Sequence, residues 1–218
     1  MMEADRLVIA GRAVPEELAP AARGIGGVSS LVWGLVNAPE AGRRAHELLR
    51  EVLRDAPRPP GVPPTVPPWV GPGFGGTLLR LFANRNMNTL DAVQVLHLLT
   101  GFGPWSAATL NMVGAGRKAP TGELVASCAV VLGMAVEDLA AMAGIDKPGP
   151  ARRTDPATAE AVELIWEARS ISAEHLQWLR RRLHEIRHEY DHIDQGWPLC
   201  HCALFRGGSA AAAGGGPG

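Results

Sequence analysis

The chain has 218 residues, 46% of them hydrophobic and 20% charged, so it can bury a core in one or two small domains. The formal net charge of −1 excludes a globally basic surface, and a nucleic-acid partner would have to be held by a local patch. Three cysteines make no disulfide framework, and the acidic start carries no apolar run of signal length. No stretch approaches the roughly 18 apolar residues of a membrane helix, so we expect a cytoplasmic protein without membrane contact.

Residues 1–56 are predicted to form an N-terminal helical segment. The short run Leu7-Val8-Ile9 is compatible with a strand or a helix. After Pro39, apolar residues recur at helical spacing, with charged residues on the opposite face. The apolar positions are Ala45, Leu48, Leu49, Val52 and Leu53. This pattern predicts an amphipathic helix, which either packs on its own domain or forms a partner-binding or dimer surface.

Residues 57–76 are rich in proline and glycine and are predicted to be a linker. Proline fixes φ and removes a backbone donor, so neither a helix nor a central strand fits here. We expect an extended, semi-rigid connector. The alternative is a polyproline ligand for the aromatic groove of a protein partner.

Residues 77–146 are predicted to form five helices with recognisable start signals. Thr77, Thr89 and Thr121 stand at helix starts, where threonine is a favoured N-cap. Ser106 suits the first turn of a helix over Trp105–Val113. Glycines after several of these helices provide the expected stops.

A family resemblance rests on the second half of this segment. The turn Gly116-Arg117-Lys118-Ala119-Pro120 is followed by a helix that ends in Leu132-Gly133 and then by a helix with Asp138-Leu139. This arrangement resembles the Cro/repressor-type (XRE family) helix-turn-helix, over about 60–70 of the 218 residues. The resemblance implies an all-α, five-helix repressor-like domain that binds double-stranded DNA as a transcriptional regulator.

The resemblance also implies which residues touch DNA. The helix over Trp105–Val113 takes the place of the recognition helix in the major groove, and the basic turn after it takes the phosphates. The expected DNA-contacting residues are Ser106, Thr109, Asn111, Arg117, Lys118 and Arg85. This helix contains no Arg or Lys, and residues 76–146 carry four basic side chains against five acidic ones. The alternative is a protein-interaction adaptor that keeps the fold without binding DNA.

Residues 147–156 are predicted to be a second linker, and residues 157–206 a C-terminal helical hairpin. Over Ala173–Asp194 the apolar residues form an a/d seam. The seam consists of Leu176, Leu179, Leu183, Ile186, Tyr190 and Ile193. It closes the hairpin, forms a homodimer interface suited to a two-fold DNA site, or does both. The basic run Arg180-Arg181-Arg182 favours a solvated face, with phosphate contact as the alternative.

The C-terminal region also carries ligands of the kind that zinc uses. His188, His192, Cys200 and Cys202 would supply a tetrahedral set if the chain turned back at Gly196, which makes a metal-responsive sensor a further hypothesis. The alternative is exposed histidines and ordinary cysteines, with no cofactor. Residues 207–218 are too poor in apolar side chains to fold and are expected to be disordered. The sequence contains no nucleophile elbow, phosphate-binding loop or HExxH motif, so we do not expect an enzyme.

Overall fold

The computed structural model describes residues 2–21, 26–64, 66–103, 105–146 and 148–191, with side chains as far as His188. Within these ranges the protein consists of ten α-helices and one short 3-10 helix at Glu16–Leu18, with no strand, so the predicted all-α class is confirmed. None of the described helices is both long and apolar enough to cross a bilayer. The α-helices are α1 (Glu3–Ile9), α2 (Val28–Asn37), α3 (Pro39–Asp55), α4 (Phe74–Ala83), α5 (Thr89–Thr100), α6 (Ala107–Gly114), α7 (Gly122–Leu132), α8 (Val136–Ala143), α9 (Thr158–Ala168) and α10 (Ala173–Asp191).

Three helix starts in the central segment carry side-chain N-caps. Asn88, Ser106 and Thr121 each accept a hydrogen bond from the backbone amide three residues further on, at 2.9, 3.2 and 3.2 Å. These amides lie in the first turn, ahead of the regular helical hydrogen bonds, so the caps fix where α5, α6 and α7 begin. Helices α5 and α7 are followed by Gly101 and Gly133 in the left-handed region, at φ of +67° and +62°.

Helix α4 begins earlier than predicted. It starts at Phe74, inside the expected linker, and Gly75 and Gly76 lie in its first turn. Two adjacent glycines disfavour a helix in isolation. They are needed here because a Cβ at Gly75 would collide with the carbonyl oxygen of Val113 at the end of α6, and a Cβ at Gly76 with the carbonyl oxygen of Gly71. Tertiary packing therefore overrides the local propensity.

Helices from both ends of the chain pack together. Helix α2 contacts α3, α5 and α9, and α10 lies along α3 and α2. The described seam residues of α10 are all buried in this arrangement: Leu176, Leu179, Leu183 and Ile186. The predicted pairing of α10 with α9 in a C-terminal hairpin is thus wrong, because α3 and α2 cover the seam within the same chain. Ile193 lies outside the described residues, as does the side chain of Tyr190.

One buried hydrophobic cluster runs from Ala4 in α1 to Ile186 in α10. In the centre, α4 packs on α6, α5 packs on α6 and α7, and α7 packs on α8. Contacts of α1 with α4, α2 with α5, and α7 with α9 join this centre to the terminal helices. The segments expected over residues 1–56, 77–146 and 157–206 therefore share one core throughout the part of the chain described.

The Pro-rich connector after α3 is held against the body of the protein. The amide of Val62 donates to the carbonyl of Pro20 at 2.7 Å, and the amide of Gly71 donates to the carbonyl of Gly114 at 3.0 Å. Val66 and Val70 pack against the core. These contacts anchor the connector at two points, one of them the end of α6.

A buried polar network links α1 to α4 and α9. It involves Asp5, Asn84, Arg85, Trp166 and Arg169. Asn84 Nδ2 donates to Asp5 Oδ1 at 2.9 Å, and Arg169 Nη2 donates to Asn84 Oδ1 at 2.7 Å. The guanidinium groups of Arg169 and Arg85 lie 4.3 and 5.4 Å from the Trp166 ring centroid. Burial, with the nearby Arg85 charge, lowers the pKa of Arg169 to about 10. The network fastens α1, which contains the run Leu7-Val8-Ile9, to the end of α4.

A second set of polar contacts joins α3 to α9. His46 is 2% exposed, and its Nε2 lies 2.8 Å from Glu167 Oε2. Arg50 Nη2 lies 2.9 Å from Glu163 Oε1. The apolar face of α3 packs within its own chain, which agrees with the first of the two interpretations of this helix. Its polar side chains contact α9.

Candidate nucleic-acid interface

The predicted DNA-contacting residues centre on α6 and on the two turns that flank it. Helix α6 begins at Ala107 rather than at Trp105, because Ser106 is its cap. Its inner face buries Leu110 and Val113. Its outer face exposes Ala108 and Met112, the latter 46% exposed. This outer face, residues 101–103 and 105–106 before it and residues 115–121 after it form what we call the α6 surface.

The hydroxyl groups at the start of α6 are engaged with each other. Ser106 Oγ accepts from the amide of Thr109 at 3.2 Å and lies 3.1 Å from Thr109 Oγ1. Ser106 is exposed and Thr109 half-buried, so both remain accessible at the surface. Asn111 is half-buried, and its Oδ1 is buried without a hydrogen-bond partner among the described residues. A bidentate contact from Asn111 to a base would require its side chain to rotate.

The basic turn after α6 has a defined geometry. The carbonyl of Met112 accepts from the amides of Arg117 and Lys118 at 2.9 and 3.2 Å. Gly116 sits between them and the helix at φ +70°, a conformation that favours glycine. Arg117 is exposed. Lys118 is half-buried, and its Nζ lies 4.5 Å from the ring centroid of Trp105. This cation–π contact fixes the ammonium beside the residue that leads into α6.

Arg85 does not belong to the α6 surface. It is 3% exposed and forms an ion pair with Asp5, with Nη1–Oδ1 and Nη2–Oδ2 distances of 2.9 Å. Its Nη2 also donates to the carbonyl of Leu132 at 2.6 Å. The expectation that Arg85 holds a phosphate is therefore wrong for this structure, because its donors are directed into the core.

Two arginines that sequence reasoning assigned to a linker lie at the turn before α6. Arg152 Nη1 donates to the carbonyl of Gly103 at 3.1 Å, and Arg152 also forms an ion pair with Glu123. Arg153 Nη2 donates to the carbonyl of Leu98 at 3.3 Å. Both arginines are exposed. The adjacent arginines were visible in the sequence as a possible basic site. No neighbouring residue indicated that residues 151–155 pass across the end of α5.

The tertiary structure redistributes the charge of the central helices. Asp91 is buried, and its carboxylate caps α2 instead of facing solvent. Glu137 and Asp138 lie on α8, which packs against α7 and α4. The charged side chains of the α6 surface are Arg117 and Lys118, and Arg152 and Arg153 reach it from residues 151–155, with Glu123 paired to Arg152. The slightly acidic balance counted along residues 76–146 is thus replaced there by a basic one.

The remaining basic and metal-ligating candidates lie elsewhere. Arg182 of α10 pairs with Glu185 at 2.9 Å, as a solvated charged face would. His188 is exposed on the same helix, and its Nε2 lies 3.2 Å from Nε2 of His184. His192, Cys200 and Cys202 lie outside the described residues, so the expected zinc set stays a prediction. Among the described residues, no group of three or more His, Cys, Asp or Glu is placed to hold a metal ion.

Comparisons of the chain with protein-family models, curated proteins and solved structures returned no match. The class is therefore described from the fold and the site: an all-α protein with a short capped helix that is followed by a basic turn and preceded by a turn that two distant arginines contact.

Proposed function

We propose that this protein binds double-stranded DNA through the α6 surface, as a transcriptional regulator of the Cro/repressor-like kind. The observation that carries the proposal is the convergence of two chain segments on α6. Arg117 and Lys118 follow the helix, and Arg152 and Arg153 come from the linker after α8 to the turn before it. Basic side chains on both sides of a short exposed helix can hold the two phosphate backbones that border a major groove.

In this proposal the phosphate contacts supply most of the affinity. Helix α6 carries no basic side chain, so base contacts would come from Ser106, Thr109 and Asn111, with Met112 available for apolar contact with thymine methyl groups. Sequence discrimination should then be modest and salt dependence strong. A homodimer on a two-fold site would have to use a surface other than Leu176–Ile186, because those seam residues are covered by α3 and α2.

The test is fluorescence anisotropy of a labelled random-sequence duplex, titrated with the protein over a series of salt concentrations. Arg117→Ala/Lys118→Ala should lower the slope of log K against log salt by about 0.9 for each phosphate that is no longer neutralised. The matched control is Arg43→Ala/Arg54→Ala, which removes the same charge from exposed positions of α3 and should leave the slope unchanged. Absence of duplex binding by the wild-type protein at low salt would refute the proposal.

A protein-interaction adaptor is the second candidate, and one observation favours it. Helices α5 and α6 each expose a large apolar side chain, Leu90 at 54% and Met112 at 46%. Methionine is one of the residue types enriched in protein interfaces. A partner retained by the wild-type protein and released by Leu90→Ser/Met112→Ser, in preparations free of DNA, would support the adaptor over the DNA-binding protein.

A further inference from the structure

Two histidines on α10 face each other across one helical turn. His184 and His188 are both exposed, with Nε2 atoms 3.2 Å apart and ring centroids 4.5 Å apart in an edge-to-face arrangement. Their backbone positions are fixed, because Leu183 and Ile186 beside them in the helix are buried against neighbouring helices. The pair therefore sits on a rigid element and not on a loop.

The separation of the two nitrogens matches that of a chelated metal ion. Imidazole nitrogens bind zinc at about 2.0–2.1 Å, which places two nitrogens about 2.9–3.4 Å apart at octahedral to tetrahedral angles. We propose that His184 and His188 form a two-histidine chelate for a borderline divalent transition-metal ion such as Zn²⁺ or Ni²⁺. Imidazole is a preferred ligand of these ions, and water would complete the coordination.

Metal binding at this pair needs a change of tautomer and a rotation of the imidazole rings that turns both Nε2 lone pairs towards a common point. Without metal, one ring donates its Nε2 proton to the Nε2 lone pair of the other. With metal, both rings offer an Nε2 lone pair, so the donating ring carries its proton on Nδ1 instead. No proton is lost from two neutral rings, and α10 keeps its backbone conformation. The ion would tie together two turns near the described end of α10, at Asp191.

The site is independent of the proposed DNA contacts, so its test can fail or succeed separately. The full-length protein is titrated with ZnCl₂ or NiCl₂ in a calorimeter. His184→Gln should weaken the apparent affinity by about tenfold or more, because the second ligand of a chelate binds at high effective concentration. His175→Gln is the matched control. His175 lies on the same helix, but its Nδ1 lies 3.0 Å from Ser172 Oγ instead of near another histidine.

The other candidate ligands are removed to isolate the pair. In a His192→Gln/Cys200→Ser/Cys202→Ser background, one ion should still bind per chain, and adding His184→Gln should abolish that binding. If the triple variant binds no metal, or if His184→Gln leaves its affinity unchanged, the two-histidine site does not exist. Circular dichroism of each variant checks that α10 remains folded.

Discussion

Asp5 and Arg85 form a bidentate ion pair in the interior of the protein, with two nitrogen–oxygen distances of 2.9 Å. They are 1% and 3% exposed and stand 80 positions apart in the chain. The pair fastens α1 to the end of α4, and Arg85 continues to the carbonyl of Leu132 at the end of α7. The pair also keeps Arg85, which was predicted to contact DNA, away from the surface.

Removal of the Asp5 carboxylate should be strongly destabilising. Asp5→Ala leaves the Arg85 charge buried without its counter-ion, which typically lowers the free energy of unfolding by about 3–5 kcal/mol. Urea denaturation followed by circular dichroism measures the change. Glu3→Ala, an exposed position in the same helix, is the control and should change stability by less than about 0.5 kcal/mol. Equal effects of the two substitutions would contradict the structural role of the pair.

Asp91 of α5 should stabilise the start of α2, although the two lie far apart in the chain. Its Oδ1 accepts from the amide of Gly27 at 2.9 Å and from Ser29 Oγ at 2.6 Å. Asp91→Ala leaves these buried donors unsatisfied and should cost about 1–3 kcal/mol. Asp91→Asn keeps one acceptor oxygen and should recover part of that stability. The denaturant midpoints of the two variants measure these losses of stability. An Asp91→Ala variant as stable as the wild-type protein would contradict the capping role of Asp91.

The arginines of the second linker should contribute to DNA binding by neutralising phosphates. Arg152→Ala/Arg153→Ala should reduce the salt dependence of duplex affinity by about 0.9 for each phosphate left without a cation. A purely structural role at the turn before α6 would instead lower thermal stability and leave the salt slope intact. Glu123→Gln tests the opposite direction. It removes the carboxylate that pairs with Arg152 and should strengthen binding.

Cys128 should be unreactive in the folded protein and should make stability fall at high pH. It is fully buried in α7, and burial raises the pKa of its thiol well above the ordinary 9.0. The unfolded chain therefore loses this proton first, so the contribution of Cys128 is complete below pH 9 and declines above it. The slope is about 1.4 kcal/mol per pH unit for one group.

Alkylation and denaturation together check this expectation. In a Cys200→Ser/Cys202→Ser background, iodoacetamide should modify Cys128 only as fast as the protein opens. The difference in unfolding free energy between this background and its Cys128→Ala derivative should shrink as pH rises above 9. Rapid alkylation of the native protein would show that the thiol is accessible.

The local features of this protein could be predicted from sequence because they depend on neighbouring residues. Ser106 and Thr121 were expected at the starts of their helices and are N-caps that bond amides three residues away. Gly116 and Gly133 follow helices because a left-handed φ is needed there. The apolar periodicity of α10 correctly gave the buried face of Leu176, Leu179, Leu183 and Ile186.

The partners of these features depend on contacts distant in the chain and were decided by tertiary packing alone. The apolar residues of a helix do not indicate which other helix will cover them. The seam of α10 packs on α3 and α2 instead of α9. The same holds for polar groups. Arg152 donates to the carbonyl of Gly103, 49 positions away in the chain. Asp91 accepts from the amide of Gly27, which lies 64 positions earlier at the start of α2. Arg85 pairs with the carboxylate of Asp5, 80 positions away. The sequence thus determined most of the helical segments and their apolar faces, although it left α1 open and placed the first turn of α4 in a linker. The positions of the charged side chains, including the basic ones at the α6 surface, depend on how those faces pack. Buried polar groups need hydrogen-bond partners, and the packed chain decides which donors and acceptors lie within reach.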